Sequence, residues 1–409
     1  MEFLKVDSID TAREKLFASA NGWMAAQEIV PLAEALERIL AEDIVVCEHV
    51  PTFRRSTVDG YAVCAADTAA AGEGIPVFLT VKGQVEMGQP AAFVLTSGIC
   101  AEVATGGMLP DGADAVMMVE YAEPFGADGI ALYTSVSHGE HVVQIGEDVK
   151  AGELLLPRGK CIQAQDIGAM AAAGIVRVPV YRRPRLSVLS TGDELIAPEQ
   201  SPTLGQIRDV NTNALTALAQ KIGFEIVHTA LVADDAERLE QAIRAAMEKG
   251  DIVAVSGGSS RGKKDVTRIV FDRVASPGVY THGLAVRPGK PTILGHDAQS
   301  ETLLIGLPGH PVAAMMMFEL LLGWLWRSLT GSSPHPAIPA QLACNVAAAP
   351  GKLNCWPAKL MWTGDSYLAE PIFGKSGLIT VLTKADGYFT LNRESEGLTA
   401  GQRVLIHLF

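Results

Sequence analysis

The feature that most constrains this chain is a short apolar run that stops abruptly in glycine and serine. Within Asp251–Val255, Ile252, Val253 and Val255 form a Val/Ile-rich segment that favours a buried strand. It breaks into Ser256-Gly257-Gly258-Ser259-Ser260-Arg261-Gly262, and an amphipathic helix is expected from Asp265. Backbone N–H groups in such a loop can approach an anionic ligand closely. The loop is neither a Walker loop nor a dinucleotide fingerprint. On its own it is equally a plain Gly-rich βα connection.

Its neighbours repeat the alternation. Leu186–Leu189 predicts a strand, Asn213–Ile222 a helix, Glu225–Val232 a strand and Ala236–Glu248 a helix. Leu303–Leu307 is a further strand, and Pro311 opens a helix where its missing N–H costs least. This is the pattern of a doubly wound α/β sheet over 182–330, with helices on both faces. Ligands of such sheets bind at the carboxyl ends of the strands. Three loops fall there: Ser190–Glu194, Ser256–Asp265 and Pro308–Pro311.

The remaining sequence has a different character. Leu32, Leu36, Ile39 and Leu40 show the spacing of one helical face, and Gln165–Ala173 is a second helix candidate. Segments 1–49 and 142–181 are expected to form one helical and extended linker domain. Between them, 50–141 carries Gly, Pro and short apolar runs (Pro76–Val81, Phe93–Leu95, Ala115–Val119, Ile130–Tyr133) that predict an inserted β-rich module. From 331 to 409 the chain turns β-like again (Ser366–Ile372, Tyr388–Leu391, Arg403–Leu408), which predicts a small C-terminal β-barrel or sandwich.

At 409 residues, several domains are expected. A 48% apolar and 19% charged composition fits a folded soluble protein. The net charge of −13 argues against a general nucleic-acid binder but leaves room for a local basic pocket. Six scattered cysteines without a C-x-x-C pair disfavour structural zinc and suggest reduced thiols in the cytoplasm. The acids in MEFLKVDSID do not suit a signal peptide. Val312–Leu325 is apolar but short and interrupted by Glu319, so a buried core helix is expected rather than a membrane span.

Several residues could carry chemistry. Asp193 and Glu194 flank a tight turn after the first strand and could hold Mg²⁺, or decorate a helix N-terminus. Asp234-Asp235 ends the next strand; Asp235, like Asp265, could simply cap a helix. Yet these acids lie where strand ends meet a Gly loop, which suits a cation bridging phosphate oxygens. Arg287-Pro288-Gly289-Lys290-Pro291 holds two cations in a rigid turn, either preorganised for an oxyanion or merely solvated. Gly306-Leu307-Pro308-Gly309-His310-Pro311 is a strand-to-helix elbow in which His310 is a ligand contact or a cap. By local chemistry, Asp59 before Gly60, Thr105-Gly106-Gly107 and Gly146-Glu147-Asp148 read as turns.

Together these segments resemble the molybdopterin molybdenumtransferase family, the MoeA and gephyrin E-domain proteins. The matching blocks run in order: Ser56-Thr57-Val58-Asp59-Gly60-Tyr61-Ala62, Thr105-Gly106-Gly107, Gly112-Ala113-Asp114-Ala115-Val116, Gly146-Glu147-Asp148 and Ser190-Thr191-Gly192-Asp193-Glu194-Leu195. Then follow Gly205-Gln206-Ile207 with Asp209 and Asn211, Ser256-Gly257-Gly258-Ser259-Ser260 with Asp265, the Arg287–Pro291 turn and the Gly306–Pro311 elbow. Ser376-Gly377-Leu378 and Ala385-Asp386-Gly387 complete the series.

The resemblance implies an enzyme of molybdenum cofactor synthesis. It would cleave adenylylated molybdopterin with Mg²⁺, release AMP and place molybdate on the dithiolene. It also implies an elongated cytoplasmic homodimer of multidomain subunits, whose active site joins the α/β domain of one subunit to the β module of the other. An adenylyltransferase and apo-molybdoenzymes would be its protein partners; no nucleic acid or membrane is implied. Asp59, Thr105, Asp148, Glu194, Asp234 and Asp265 carry over as catalytic residues, with Glu194, Asp234 and Asp265 on the metal. Ser256, Gly257, Gly258, Ser259, Ser260, Arg287, Lys290, Pro308 and Pro311 carry over as substrate-binding residues. The chain departs from the family pattern at Lys263 (usually an acid), His310 (usually Asn), Ala313 (usually Ser) and Pro357 (often Arg). A tungstate-inserting paralogue and a non-catalytic molybdopterin-binding protein are the alternatives.

Overall fold

A computed structural model describes residues 6–257, 266–334 and 336–409. Its centre is a six-stranded sheet in the order Glu225–Val232, Arg185–Thr191, Ile252–Ser256, Thr302–Leu307, Ile293–Asp297 and Pro277–His282. The first four strands are mutually parallel; Ile293–Asp297 runs antiparallel to both of its neighbours, so Pro277–His282 points the same way as the first four. The period-2 alternation of side chains builds a core on each face. Ile252 and Ala254 join one cluster with Leu215, Val312 and Leu325, while Val253 and Val255 join another with Leu239, Ile243 and Phe271. The strand predicted at Asp251–Val255 is thus buried on both sides, which explains why it reads as a continuous apolar run rather than an alternating one.

The apolar stretch after the elbow is a core helix. The helical run Pro311–Thr330 is long and apolar enough to cross a membrane, but 72% of its most apolar window is buried inside the protein. Its middle, Glu319–Gly323, loosens into a π turn. The buried Glu319 there accepts a 2.8 Å hydrogen bond from Arg327. The N-terminal helix Ile9–Ala20, capped by Ser8, packs Ile9, Ala12, Leu16 and Ala20 into the same core.

The spacing at Leu32–Leu40 does not produce a helix. Only Leu32–Glu34 forms a single 3₁₀ turn, and Leu36 stays 49% exposed. The cause is long-range competition for backbone donors. Gln27–Pro31 pairs antiparallel with Arg177–Tyr181, and the N–H groups of Leu32, Glu37 and Leu40 donate to Val176, Ile162 and Lys160 instead of to carbonyls four residues back. The second candidate does form, as the helix Ala164–Ala172 with a Gln163/Asp166 capping box.

The segment between carries its own six-stranded sheet, in the order Ala115–Met118, Gly60–Val63, Ile99–Val103, Val77–Val85, Gly129–Leu132 and Ala122–Phe125. Phe93–Leu95 is not a strand; it lies across this sheet, where Leu95 fills the core beside Val85 and Val103. In the last segment Leu353–Trp362, Tyr367–Pro371, Ala337–Leu342, Arg403–Leu408 and Gly387–Leu391 pair in succession, and the last closes onto the first. The result is a five-stranded barrel. Val286–Arg287 of the α/β region adds to it in parallel with Leu353–Asn354, so the barrel is docked on the α/β domain through backbone pairing.

Candidate active site

Three neighbouring strands end in register: Ser190 opposes Ser256, and Ser256 opposes Leu307. Their carboxyl ends therefore open at one place, onto a cleft of about 1550 Å³ between the α/β domain and the barrel. Thr191, Glu194, Ser256, Gly257, Pro308 and Pro311 line it from the strand ends. Gly257 is required where the chain leaves the third strand. Its φ is +105°, and a Cβ built on it would lie 2.2 Å from the Thr191 carbonyl oxygen. Gly258, Ser259, Ser260 and Asp265 lie outside the described residues.

A buried polar network stitches the strand ends together. Asn211 Nδ2 donates to Ser256 Oγ at 2.7 Å and to the Gly309 carbonyl at 2.8 Å, while Ser256 Oγ reaches the Pro308 carbonyl at 3.3 Å. Asp209 Oδ1 accepts from Ser190 Oγ and from the Thr212 N–H. Asn211 holds the third strand end and the elbow in one geometry, and Asp209 ties the end of Arg185–Thr191 to the start of the following helix. Sequence reasoning quoted both without giving either a role; the signal was present in polar residues immediately before the helix Asn211–Ile222.

The acids divide into two kinds. Asp235 caps the helix Ala236–Met247 through the Glu237 and Arg238 N–H groups. Asp193 accepts from the Asp234 N–H at 3.0 Å and so fixes that turn. Glu194 and Asp234 are exposed and line the cleft. No helix begins at Glu194; a short strand, Leu195–Ile196, pairs with Ile207–Arg208, so the helix-decoration alternative falls. Among the described residues no group of three or more His, Cys, Asp or Glu is arranged to hold a metal. Two carboxylates in one cleft still fit Mg²⁺, which keeps several waters and takes one or two carboxylates together with substrate phosphates.

Cations line the same cleft. Arg287 and Lys290 are exposed in the cleft, and neither forms an ion pair with a described residue. The barrel adds Lys352 and Lys375, which sequence reasoning missed because nothing local marks them. His310 is not a side-chain cap. Its Nδ1 lies 2.8 Å from Ser376 Oγ, and the Ser376 carbonyl accepts the Val312 N–H, one of the free donors at the helix start.

Asp59, Thr105 and Asp148 do not line the cleft of their own chain. Asp59 and Thr105 do meet each other: Asp59 Oδ1 accepts from the Thr105 N–H at 2.7 Å and from its hydroxyl at 2.9 Å. These bonds favour the charged carboxylate and hold its pKa below the ordinary value, the backbone bond contributing more. The Asp148 N–H donates to the Val50 carbonyl, in the connection that returns from the inserted sheet.

Known proteins show the same arrangement over the whole chain. Residues 7–174 match the model of the MoeA N-terminal region (domain I and II), 187–327 that described as "Probable molybdopterin binding domain", and 339–409 that of the MoeA C-terminal region (domain IV). The molybdopterin molybdenumtransferase of Haemophilus influenzae is 31% identical over 98% of both chains. That of Bacillus subtilis is 30% identical over 93% of this chain and 89% of its own. A crystal structure of the molybdopterin biosynthesis MoeA protein from Pyrococcus horikosii superposes with a TM-score of 0.83, at 35% identity and 99% coverage of both chains. With its strand-end cleft, the acids and cations that line it and its three matching regions, the chain belongs to the molybdopterin molybdenumtransferase family, enzymes of molybdenum cofactor biosynthesis.

Proposed function

We propose that this enzyme cleaves adenylylated molybdopterin, releases AMP and places molybdate on the dithiolene, with Mg²⁺ as its metal. The observation that carries the reading is one cleft lined by both signs of charge: Glu194 and Asp234 at the strand ends, and Arg287 and Lys290 from the Val286–Pro291 turn. The reaction breaks a phosphoanhydride bond, so it needs oriented phosphates and neutralised charge more than it needs a nucleophilic side chain. Arg287 and Lys290 bind the anionic groups and stabilise charge as it develops on the leaving phosphate. Ser256 and Gly257 shape the floor on which the phosphate end rests. Glu194 and Asp234 would hold Mg²⁺, which when bound supplies further neutralisation of the phosphate oxygens.

The active unit in this proposal is a cytoplasmic homodimer in which Asp59 and Thr105 complete the partner's cleft. Their mutual hydrogen bonds, their exposure and their distance from their own cleft support it. Purified protein given adenylylated molybdopterin, molybdate and Mg²⁺ should release AMP and yield cofactor that activates an apo-molybdoenzyme. Folded protein that binds the pterin without releasing AMP would instead be a non-catalytic binder, and better turnover with tungstate would mark a tungstate enzyme. Asp59→Asn and Glu194→Gln should each abolish turnover, and mixing the two inactive variants should restore part of it. Failure of the mixture, with light scattering showing monomers, would overturn the shared site.

A further inference from the structure

We infer that Lys375 of the barrel is an oxyanion-binding residue of the cleft, and that His310 is a positioning residue that places it there. The inference rests on the reading of the cleft given above. Lys375 lies on the loop that follows the barrel strand Tyr367–Pro371, is exposed, and lines the cleft together with Arg287 and Lys290. It makes no ion pair with a described residue, so its charge is not spent on a neighbouring acid. A lysine on a loop would ordinarily lose its effect to motion and solvent. This loop is pinned at the adjacent residue from two directions. The Ser376 hydroxyl bonds the His310 ring at 2.8 Å, and the Ser376 carbonyl accepts the Val312 N–H at 3.2 Å. At its other end the Ile372 N–H donates to the Pro357 carbonyl at 2.8 Å. A Cβ at Gly377 would lie 3.7 Å from the ring, an ordinary van der Waals contact, so the imidazole packs beside the loop at this residue as well.

The consequence is a charge supplied across the domain boundary. Pro357 lines the cleft but offers no donor, and the loop tied to its carbonyl carries Lys375, which lines the same cleft. The ligand class is a tetrahedral oxyanion, either molybdate itself or a phosphate of the pterin substrate.

The test is equilibrium binding by calorimetry of molybdate alone and of inorganic pyrophosphate alone, on wild type, Lys375→Met, Lys375→Arg, His310→Ala and His310→Asn. Lys375→Met should weaken one of the two probes by about 10-fold, the worth of one charge-assisted hydrogen bond, and the affected probe identifies the source. Lys375→Arg should retain binding. His310→Ala should weaken the same probe, and the carboxamide of His310→Asn, able to reach Ser376, should restore it. In the His310→Ala background, Lys375→Met should cost markedly less than in wild type, a coupling that a merely structural histidine would not produce. Wild-type binding with Lys375→Met unchanged for both probes overturns the inference alone. A wild type that binds neither probe overturns the reading of the cleft and this inference with it.

Discussion

Gly257 and Gly309 lie side by side in the cleft, yet alanine should act on them with opposite sign. At Gly257 the backbone is left-handed, with φ +105°, and the new Cβ would sit 2.2 Å from the Thr191 carbonyl oxygen, where real Cβ atoms do not come within 3.0 Å. The obstacle is backbone at the end of a buried strand, paired with Val232 on its other side, so it cannot rotate away. Left-handed strain and forced overpacking together should cost about 2–5 kcal/mol. At Gly309 the nearest atom of the described residues to a new Cβ is the Gly257 Cα, at 3.8 Å, an ordinary contact, and φ lies outside the left-handed region. Gly309→Ala should therefore be neutral, or stabilise by about 0.5 kcal/mol through the unfolded chain. Thermal and urea unfolding of both variants, with hydrogen exchange read over Ile252–Gly257, checks the pair. Equal stabilities, or a Gly257→Ala protein as stable as wild type, would refute the claim that this glycine is dictated by the strand-end geometry.

Other perturbations separate the remaining contributions. Asn211→Ala removes both buried bonds that tie Ser256 and Gly309, and unfolding should show a loss of about 2–3 kcal/mol. Glu319→Ala leaves Arg327 largely buried without its carboxylate in the core helix, and should cost about 3–5 kcal/mol in thermal or denaturant unfolding. Carboxyl NMR titration of Asp59 should give a midpoint below 3.8, and Thr105→Ala should raise it only part of the way, because the stronger backbone donor remains. A depressed carboxylate pKa contributes stability above the unfolded value and loses it as pH falls through the folded one, so any effect of Thr105→Ala on stability should vanish in acid.

The parallel sheet was legible because its strands are buried on both faces. Ile252, Val253 and Val255 need no alternation, and the Gly-rich break after them marks the strand end. What local sequence could not carry was competition from distant partners. Leu32–Leu40 has helical spacing, but its N–H groups are claimed by residues 160–176. The site divides the same way. Arg287 and Lys290 stand out because Pro and Gly surround them, and Glu194 and Asp234 because they follow strands. Lys352 and Lys375 have no such setting. Lys352 reaches the cleft beside the pairing of Leu353–Asn354 with Val286–Arg287, and Lys375 through the contacts of Ser376 with His310 and Val312, all of them long-range.

That docking also resolves how a chain of net charge −13 can be built for anions. Among the described residues, the Asp, Glu, Lys and Arg lining the cleft are Glu194, Asp209 and Asp234 against Arg208, Arg287, Lys290, Lys352 and Lys375. Asp209 is engaged by Ser190 and Thr212, and Arg208 Nε by the carbonyls of Pro198 and Gln200. The remaining acids come from two strand ends, whereas all the remaining cations come from the Val286–Pro291 turn and the barrel. The two signs are thus carried into the cleft by different segments of the chain. The separation is maintained by structure: the acids ride on turns fixed by Asp193 and by the Glu194 carbonyl, and the cations on segments fixed by strand pairing and by the His310–Ser376 contact. An ion pair formed across the cleft would remove both the metal-side ligands and the anion-side donors at once. Keeping them on separate segments leaves a cleft whose local field a ligand carrying both a cation and phosphates can satisfy, whatever the sign of the protein's net charge.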